Sequence, residues 1–307
     1  MPIPPTGWGA VEILIWDCKD TLERKGHEVV IINTPDMNEI VFRCNQERPD
    51  AVIIQYDVFW QVCDYINAPY VGITSQFGYL IQENRYDGFY GHILNGFLSM
   101  RRGRIIALSP EIRDLYVRKG FDPSRIDIIT NAVRDDLFRF DESCKLPERS
   151  VYLAKVEPRK RQYLFQEIES IDFVGPLSDT KFDGSRTNYL GEWKKDELYD
   201  NLTNYANLVL LSDGEAHPLV CMEAMTAGLG LVISEWCNPN LDLSLPFIDV
   251  IPENKMYDTD YIRSVVEENR EKSVSMRREI REYCIENFSW DNVVDNSYLK
   301  LPMNVVK

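Results

Sequence analysis

The chain has 307 residues, of which 44% are hydrophobic, and 34 Lys and Arg residues face 49 Asp and Glu residues, for a net charge of −15. This length and apolar content allow a large core and predict two globular domains. The acidic balance disfavours nucleic acid or an anionic membrane as a partner held by charge alone, so any phosphate must be bound at a local site.

The cysteine pattern and the chain start indicate a cellular compartment. The 7 cysteines are scattered and include no C-x-x-C pair, which is typical of a reducing cytosol. No apolar stretch approaches the roughly 18 residues that cross a membrane, and MPIPPTGWGA lacks the basic and apolar regions of a signal peptide. We therefore expect a cytoplasmic protein without stable membrane insertion.

Short apolar runs alternate with amphipathic segments along the chain, which predicts an α/β fold of parallel sheets covered by helices. Runs that are apolar throughout suit strands that are buried on both faces. The predicted strands are residues 28–33, 51–55, 69–74, 104–109 and 125–130 in the first half, and 151–156, 171–175, 187–191, 207–212 and 229–234 in the second.

The ends of two helices are marked by capping residues. One helix is predicted over residues 10–25, with Gly26 as a left-handed cap. Another is predicted over residues 110–119, with Ser109 as its N-cap and Gly120 after its end.

The polar stretch FDESCKLPERS, residues 140–150, interrupts the alternation and is predicted to link two doubly wound domains. Two such domains in tandem leave a cleft at the carboxyl ends of their strands, where ligands of this class of fold usually bind.

Residues 212–234, SDGEAHPLVCMEAMTAGLGLVIS, leave a predicted strand and begin a helix whose first residue is predicted to be Pro218. Backbone N–H groups around Leu219 and Val220 are then donors at the positive end of a helix, which suits a phosphate. Glu215 lies in the turn before this end, and Glu223 lies inside the helix with a side chain that leans back toward it.

Two carboxylates beside a phosphate would repel it, so we expect them to accept hydrogen bonds from hydroxyl groups on either side of it. A phosphate between two hydroxylated groups describes a nucleotide sugar. The E-x7-E spacing alone is weak support, because a helix-forming glutamate and a solvated loop acid give the same pattern.

Five segments in order resemble motifs of glycosyltransferase family 4, retaining enzymes of the GT-B fold. Residues 212–234 resemble the pattern S-x-x-E-G-F-G-L-V-x-x-E-A-M-A-x-G-x-P-V. PIPPTGWGAVE resembles the family's P-P-x-G-Y-G-G-x-E loop, and YLAKVEPRKRQ resembles G-R-L-x-x-x-K-G. Residues 105–138 resemble the N-G-V-D-x-x-x-F segment with its preceding strand and helix, and residues 286–301 resemble the family's tail helix.

This resemblance implies two Rossmann-like, doubly wound parallel-sheet domains that face a cleft. It implies an acceptor domain over residues 1–145, a donor domain over 146–287 and a helix over 288–307 that crosses back. The family has a strand before its P-P loop and this sequence has none, so either the chain start is truncated or the first sheet is one strand short.

The implied activity is retaining transfer of a sugar from a nucleotide diphosphate sugar, most commonly a UDP-sugar, to an acceptor hydroxyl of a saccharide. The resemblance implies that Glu223 binds the ribose and that Glu215 binds the donor sugar. Lys155 and Lys160 stand at the family's arginine and lysine, each a cation for the diphosphate. The other residues assigned to the donor are Gly9, Tyr189, His217, Pro218, Leu219 and Val220.

The sequence departs from the family's pattern at several positions. Ala10 replaces the second glycine of the G-G pair, and Ser75 or Gln76 falls where the family has an acceptor-side histidine. His92 lies too far along to be that histidine. The missing histidine and the missing first strand motivate an alternative, a nucleotide-sugar-binding protein without transferase activity.

Two further functions are disfavoured. The run GLGLV follows a helix and begins a strand, the reverse of a dinucleotide fingerprint, which argues against a nicotinamide-linked dehydrogenase. YDTDY, residues 257–261, contains a D-x-D, but aspartates before a helix are ordinary caps, and the 3 histidines form no ligand cluster. We expect a metal-independent protein with no cofactor besides its nucleotide-sugar substrate.

Overall fold

The structure is a computed structural model that describes residues 2–5, 7, 9–78 and 88–301. The chain folds as two compact units. The residues up to Asn131 form one unit with the segment that starts at Trp290, and Ala132–Ser289 form the other. This division falls before the polar stretch 140–150, and a strand of the second unit already begins inside that stretch, at Leu146.

Each unit contains a parallel sheet. The strands are β1 (Ala51–Ile54), β2 (Tyr70–Thr74), β3 (Arg104–Ala107), β4 (Ile126–Ile128), β5 (Leu146–Leu153), β6 (Ile171–Val174), β7 (Tyr205–Leu210), β8 (Gly230–Ser234) and β9 (Ile248–Ile251). Among the described residues, the first sheet has 4 strands in the order β1-β2-β3-β4, and the second has 5 in the order β6-β5-β7-β8-β9. All neighbouring strands run parallel, as the sequence predicts.

The helices of the first unit precede and follow those of the second along the chain. They are α1 (Ala10–Arg24), α2 (Met37–Glu47), α3 (Gly88–Ser99), α4 (Pro110–Arg118), α5 (Lys195–Asn201), α6 (Leu219–Thr226), α7 (Thr259–Ser275), α8 (Arg277–Phe288) and α9 (Trp290–Asn296). Within the described part of the chain, no helix combines the length and apolarity needed to cross a bilayer.

The core of each unit is its sheet. Every residue of β2, β3, β7 and β8 is buried, including the polar Arg104 and Asn207, which is why these segments are mostly apolar in sequence. Full burial of one Val, Leu or Ile side chain contributes about 1.5–3 kcal/mol, so these strands supply much of the stability of both units.

The predicted helix ends at residues 10–25 and 110–119 are confirmed within one residue. Gly26 follows α1 with a φ of 89°, and Gly120 follows α4 with a φ of 94°, left-handed conformations that glycine adopts without steric cost. The Ser109 hydroxyl accepts a hydrogen bond from the N–H of Ile112 at 3.4 Å and caps α4.

The predicted strand at residues 28–33 is wrong. The segment has no strand, and Val30 is 47% exposed. A strand needs a neighbour for its backbone hydrogen bonds, and in the described residues no strand precedes α1 that could lie beside it. The sequence shows that the segment is apolar, but it does not show whether a neighbouring strand is present.

Two strands of the second unit also differ from prediction. Residues 187–191 form a single bridge, Tyr189 to Phe173, rather than a strand. β9 was missed because Asp249 interrupts its short apolar run, and that carboxylate is held by the Lys272 ammonium at 2.9 Å.

Candidate active site

The loops after β5, β7, β8 and β9 lie at one edge of the second sheet, because the carboxyl ends of parallel strands point the same way. Backbone hydrogen bonds join these loops. The N–H of Asp213 donates to the carbonyl of Arg159 at 2.8 Å, and the N–H of Glu215 donates to the carbonyl of Trp236 at 3.0 Å. The charged side chains of separate loops are thereby held in one cluster.

Glu215 is the centre of this cluster. Its Oε1 accepts a hydrogen bond from the Lys160 ammonium and lies 3.1 Å from Nη1 of Arg159. Arg159 Nη1 also donates to the carbonyl of Gly214 at 2.5 Å, so the guanidinium is fixed against the turn. The side chains of Glu215 and Lys160 are only 13% and 12% exposed, which makes this ion pair largely buried.

Two opposing effects decide the charge of Glu215. Burial opposes ionisation, but the positive charges of Lys160 and Arg159 and their hydrogen bonds outweigh it, so the pKa lies below its ordinary value. Glu215 is therefore an anion at neutral pH and can accept hydrogen bonds from hydroxyl groups.

The turn that carries Glu215 leads into α6. Pro218 has an extended ψ of 113° and is the N-cap, so the helix begins at Leu219 and not at Pro218 as predicted. The first turn closes with the N–H of Cys221, which donates to the Pro218 carbonyl at 3.2 Å. The N–H groups of Leu219 and Val220 precede that turn, as the first N–H groups of any helix do, and point out of its positive end.

Glu223 is the fifth of the eight residues of α6 and is partly buried. Its backbone carbonyl accepts a hydrogen bond from Ala227 at 3.1 Å, so the residue is fixed inside the helix. Side chains of helical residues lean toward the amino terminus of their helix, which directs this carboxylate toward the end of α6 that begins at Leu219.

The two predicted lysines differ in their surroundings. Lys160 is held against Glu215, whereas Lys155 is 56% exposed and lies 3.7 Å from Oε2 of Glu157. The structure therefore brings Lys160 into the cluster and leaves Lys155 at its solvent side.

The remaining predicted donor residues of the second unit are partly or fully packed. His217 is 5% exposed and its ring lies 5.5 Å from that of Phe288, and complete burial lowers its pKa to about 3. Its imidazole is thus neutral and belongs to the core beneath the turn. Tyr189 follows β6, and its hydroxyl donates to the carbonyl of Gly175 at 3.0 Å.

In the first unit, Gly9 is the N-cap of α1, and a Cβ there would lie 2.0 Å from a carboxylate oxygen of Glu12. Where the family has its acceptor-side histidine, the Ser75 hydroxyl lies 2.7 Å from that of Tyr116 inside the core. The Gln76 amide donates to the carbonyl of Gln55 at 3.3 Å.

Two other sequence features have structural explanations. His92 is exposed and packs edge-on against Trp60, at 6.1 Å between ring centroids. Asp258, in the D-x-D, accepts a hydrogen bond from the N–H of Tyr261 at 3.1 Å and caps α7. The described residues contain no group of three or more His, Cys, Asp or Glu side chains placed to hold a metal.

Sequence reasoning missed Arg159, Arg161, Trp236 and Glu253. The signal for the two arginines is the run PRKR, which begins five residues after the end of β5 and in which only Lys160 matched a motif position. Trp236 and Glu253 follow β8 and β9 and match no motif, so the order of the strands in the sheet was needed to find them.

Comparisons with known proteins give the fold. No family model and no curated protein matches the sequence. HepE of Anabaena, solved with UDP-glucose, matches with a TM-score of 0.73 at 12% identity over 97% of both chains. Sucrose-phosphate synthase of Thermosynechococcus elongatus matches with a TM-score of 0.72 at 14% identity over 93% of this chain and 91% of that one. AviGT4, a glycosyltransferase of avilamycin A biosynthesis, matches with a TM-score of 0.67 at 16% identity over 98% and 91%. The chain therefore has the GT-B fold of glycosyltransferases, as the sequence predicted.

Proposed function

We propose that this protein transfers a sugar from a nucleotide diphosphate sugar to an acceptor hydroxyl with retention of configuration. One observation carries the proposal: a buried carboxylate, Glu215, is paired with Lys160 and Arg159 immediately before the positive end of α6. A helix end and adjacent cations suit a diphosphate, and an ionised carboxylate beside them suits the hydroxyl groups of a sugar.

The diphosphate would be held by the backbone N–H groups of Leu219 and Val220 together with Lys160, and with Lys155 from the solvent side. These groups lie where negative charge increases as the bond to the sugar breaks. Donors fixed before the reaction stabilise that charge without reorganising, which is the usual largest contribution to catalysis of this kind.

The two glutamates would bind the two ends of the donor. Glu223, inside the helix, accepts hydrogen bonds from the ribose, and Glu215, in the turn, accepts them from the transferred sugar. Lys160 and Arg159 both contact Oε1 of Glu215, which fixes the orientation of the carboxylate.

For the chemical step we propose attack by the acceptor on the face that the diphosphate leaves. The leaving phosphate oxygen takes the acceptor proton, so no side-chain base is required. A chain with Ser75 and Gln76 in place of the family's histidine is compatible with this step.

A UDP-sugar is the proposed donor and a saccharide the proposed acceptor, with no metal ion and no further cofactor. HepE was solved with UDP-glucose, and its fold covers 97% of this chain. We further propose glycosyltransferase family 4 as the family, hexosyl transfer as the reaction type, a cytoplasmic location and no nucleic-acid partner.

A thermal-shift screen with nucleoside diphosphates and their sugars tests donor binding. Ligands that bind the native state raise its apparent stability by about 2.7 kcal/mol at 100 times Kd. We expect stabilisation by one nucleoside diphosphate and by its sugars, and release of that diphosphate when the sugar nucleotide is incubated with the protein. Stabilisation without release of the diphosphate would favour a nucleotide-sugar-binding protein without transferase activity. No stabilisation by any of these ligands would refute both functions.

A further inference from the structure

Arg161 has a backbone conformation that its residue type rarely adopts. Its φ is 58° and its ψ is 16°, in the left-handed region, and it directly follows Lys160. Side chains other than glycine are disfavoured there, and such a conformation persists only where the surrounding contacts impose it.

The contacts that hold Arg161 come from two other loops. Its Nη2 lies 2.7 Å from Oδ1 of Asp213, after β7, and 2.9 Å from Oε1 of Glu253, after β9. Its Nη1 lies 2.9 Å from the second oxygen of Glu253. The guanidinium is 13% exposed, so its donors are directed at these carboxylates and away from solvent.

These contacts belong to a closed ring of hydrogen bonds through four loops. Glu253 accepts a hydrogen bond from Nε1 of Trp236 at 3.0 Å, and the Trp236 carbonyl accepts one from the N–H of Glu215 at 3.0 Å. Glu215 is two residues from Asp213, which returns the ring to Arg161. Both members of the central ion pair, Lys160 and Glu215, are therefore attached by the backbone to this ring.

We infer that Arg161 is a positioning residue that holds Glu215 in the geometry needed for turnover of the donor. The inference rests on the proposed function. Because both of its terminal nitrogens are taken by carboxylates and the group is largely buried, Arg161 acts through the loops that it joins. An error of about 1 Å in the position of reacting groups is enough to reduce a rate roughly 100-fold, so a ring of this kind has a kinetic effect without touching the donor.

The test compares Arg161→Lys with a matched control, Arg149→Lys. Lysine keeps the charge but cannot serve two carboxylates from a rigid fork. Arg149 pairs with both oxygens of Asp172 inside the same unit, with Nε at 3.0 Å from Oδ2, and lies within β5 and away from the loops. The measurements are the kcat for hydrolysis of UDP-glucose and the Kd of UDP.

We expect Arg161→Lys to lower kcat roughly tenfold or more while the Kd of UDP changes less than about threefold. We expect Arg149→Lys to leave kcat as it is in the wild-type chain. Amide exchange gives a readout independent of activity: the N–H of Glu215 should lose protection in Arg161→Lys, whereas that of Leu208, in the middle of β7, should keep it.

A second variant tests the ring itself. Trp236→Phe removes the donor to Glu253 and should lower kcat in the same direction. Combined with Arg161→Lys it should cost less than the sum of the two single changes, because both open the same ring.

The outcomes separate this inference from the proposed function. If the wild-type chain hydrolyses UDP-glucose and Arg161→Lys has the same kcat as Arg149→Lys, the inference about Arg161 is overturned and the proposed function stands. Equal losses of kcat and UDP affinity would also overturn the inference, since they would indicate general disorder of the edge. A wild-type chain that neither binds UDP nor hydrolyses UDP-glucose would refute the function proposed with a UDP-sugar, and the kinetic role of Arg161 with it.

Discussion

Glu215 is the residue at which the charges of the second unit converge. Lys160 and Arg159 both approach its Oε1, and its own N–H is fixed by the Trp236 carbonyl. A carboxylate held by two cations keeps its charge and its orientation when a substrate arrives. The side chain is therefore suited to contact the part of a donor that moves.

Replacing Glu215 by Gln separates this role from nucleotide binding. The amide keeps the size of the side chain but loses the charge that is proposed to accept hydrogen bonds from the sugar. We expect turnover of UDP-glucose to fall roughly 100-fold or more, by analogy with loss of one preorganised electrostatic contact, while the Kd of UDP stays within about threefold. Calorimetric titration with UDP beside a turnover assay checks this, and an equal loss in both would show a disturbed loop.

Glu223→Gln should behave differently, because the proposed contact is to the ribose that UDP and UDP-glucose share. Loss of a charge-assisted hydrogen bond typically costs 1.5–3 kcal/mol, so both ligands should bind roughly tenfold or more weakly. Titration of the variant with each ligand is the measurement. Unchanged affinity for UDP would remove Glu223 from the site.

His217 makes a prediction about pH. Burial lowers its pKa to about 3 in the folded chain, against an ordinary value of 6.5. The unfolded chain therefore binds a proton that the folded chain does not between these values, and stability is lost as the pH falls from 6.5 toward 3. The wild-type free energy of unfolding should fall by up to about 1.4 kcal/mol per pH unit more than that of His217→Gln across this range. Denaturation at several pH values checks this, with His27→Gln as the exposed control.

The residues of the cluster were only partly predictable from the sequence. Motif positions gave Glu215 and Lys160, which are in contact, but gave Lys155 the same weight, although it is 56% exposed. Arg159 and Arg161 stand in the same run of charges. Which cation of such a run is anchored depends on the loops that face it, and those loops come from distant strands.

The amino terminus of α6 is the element that would hold the diphosphate. Its donors are backbone N–H groups, which side-chain substitutions do not remove. Proline can replace the first residue of a helix with little cost, because the N–H there has no partner within the helix, and its φ already suits that position. The extended ψ of 113° at Pro218 is also compatible with a following proline.

Leu219→Pro therefore removes one proposed phosphate donor and leaves the helix in place. Leu219→Ala is the matched control, since it shortens the side chain and keeps the N–H. We expect the proline variant to bind UDP roughly tenfold more weakly than the alanine variant, the scale of a hydrogen bond to a charged group. Circular dichroism should show the same helix content in both. Equal UDP affinity would mean that this N–H does not contact the diphosphate.

Elements bounded by local signals were predicted well, and those that depend on a partner were not. α1 and α4 are bounded by Gly26, Ser109 and Gly120, and β6, β7 and β8 overlap predicted runs that are mostly apolar. Residues 28–33 form a similar apolar run, but no strand of the described residues lies beside them. The sequence hides β9 because Asp249, whose charge is balanced by Lys272 of α7, interrupts its apolar run. Periodicity shows burial but does not show pairing.

At the scale of the whole molecule, the sequence predicts the fold although its identity to solved structures is low. The net charge is −15, and even where Arg159, Lys160 and Arg161 are gathered at one edge of the second sheet, each of them is paired with a carboxylate. The α/β alternation and the order of the motifs predicted the GT-B fold, which the comparisons confirm at 12–16% identity. Sequences that differ this much can share a fold because buried strand positions must stay apolar but need not keep the same amino acid.

Solvolysis of UDP-glucose in the presence of methanol tests whether the chain transfers a sugar with retention. Methyl glucoside preserves the configuration of the product, whereas free glucose interconverts between anomers. We predict UDP release faster than in protein-free buffer, with methyl α-glucoside as the trapped product in the proton NMR spectrum, and a lower rate with Glu215→Gln. Methyl β-glucoside would contradict retention, and tight binding of UDP-glucose without UDP release would contradict transfer itself.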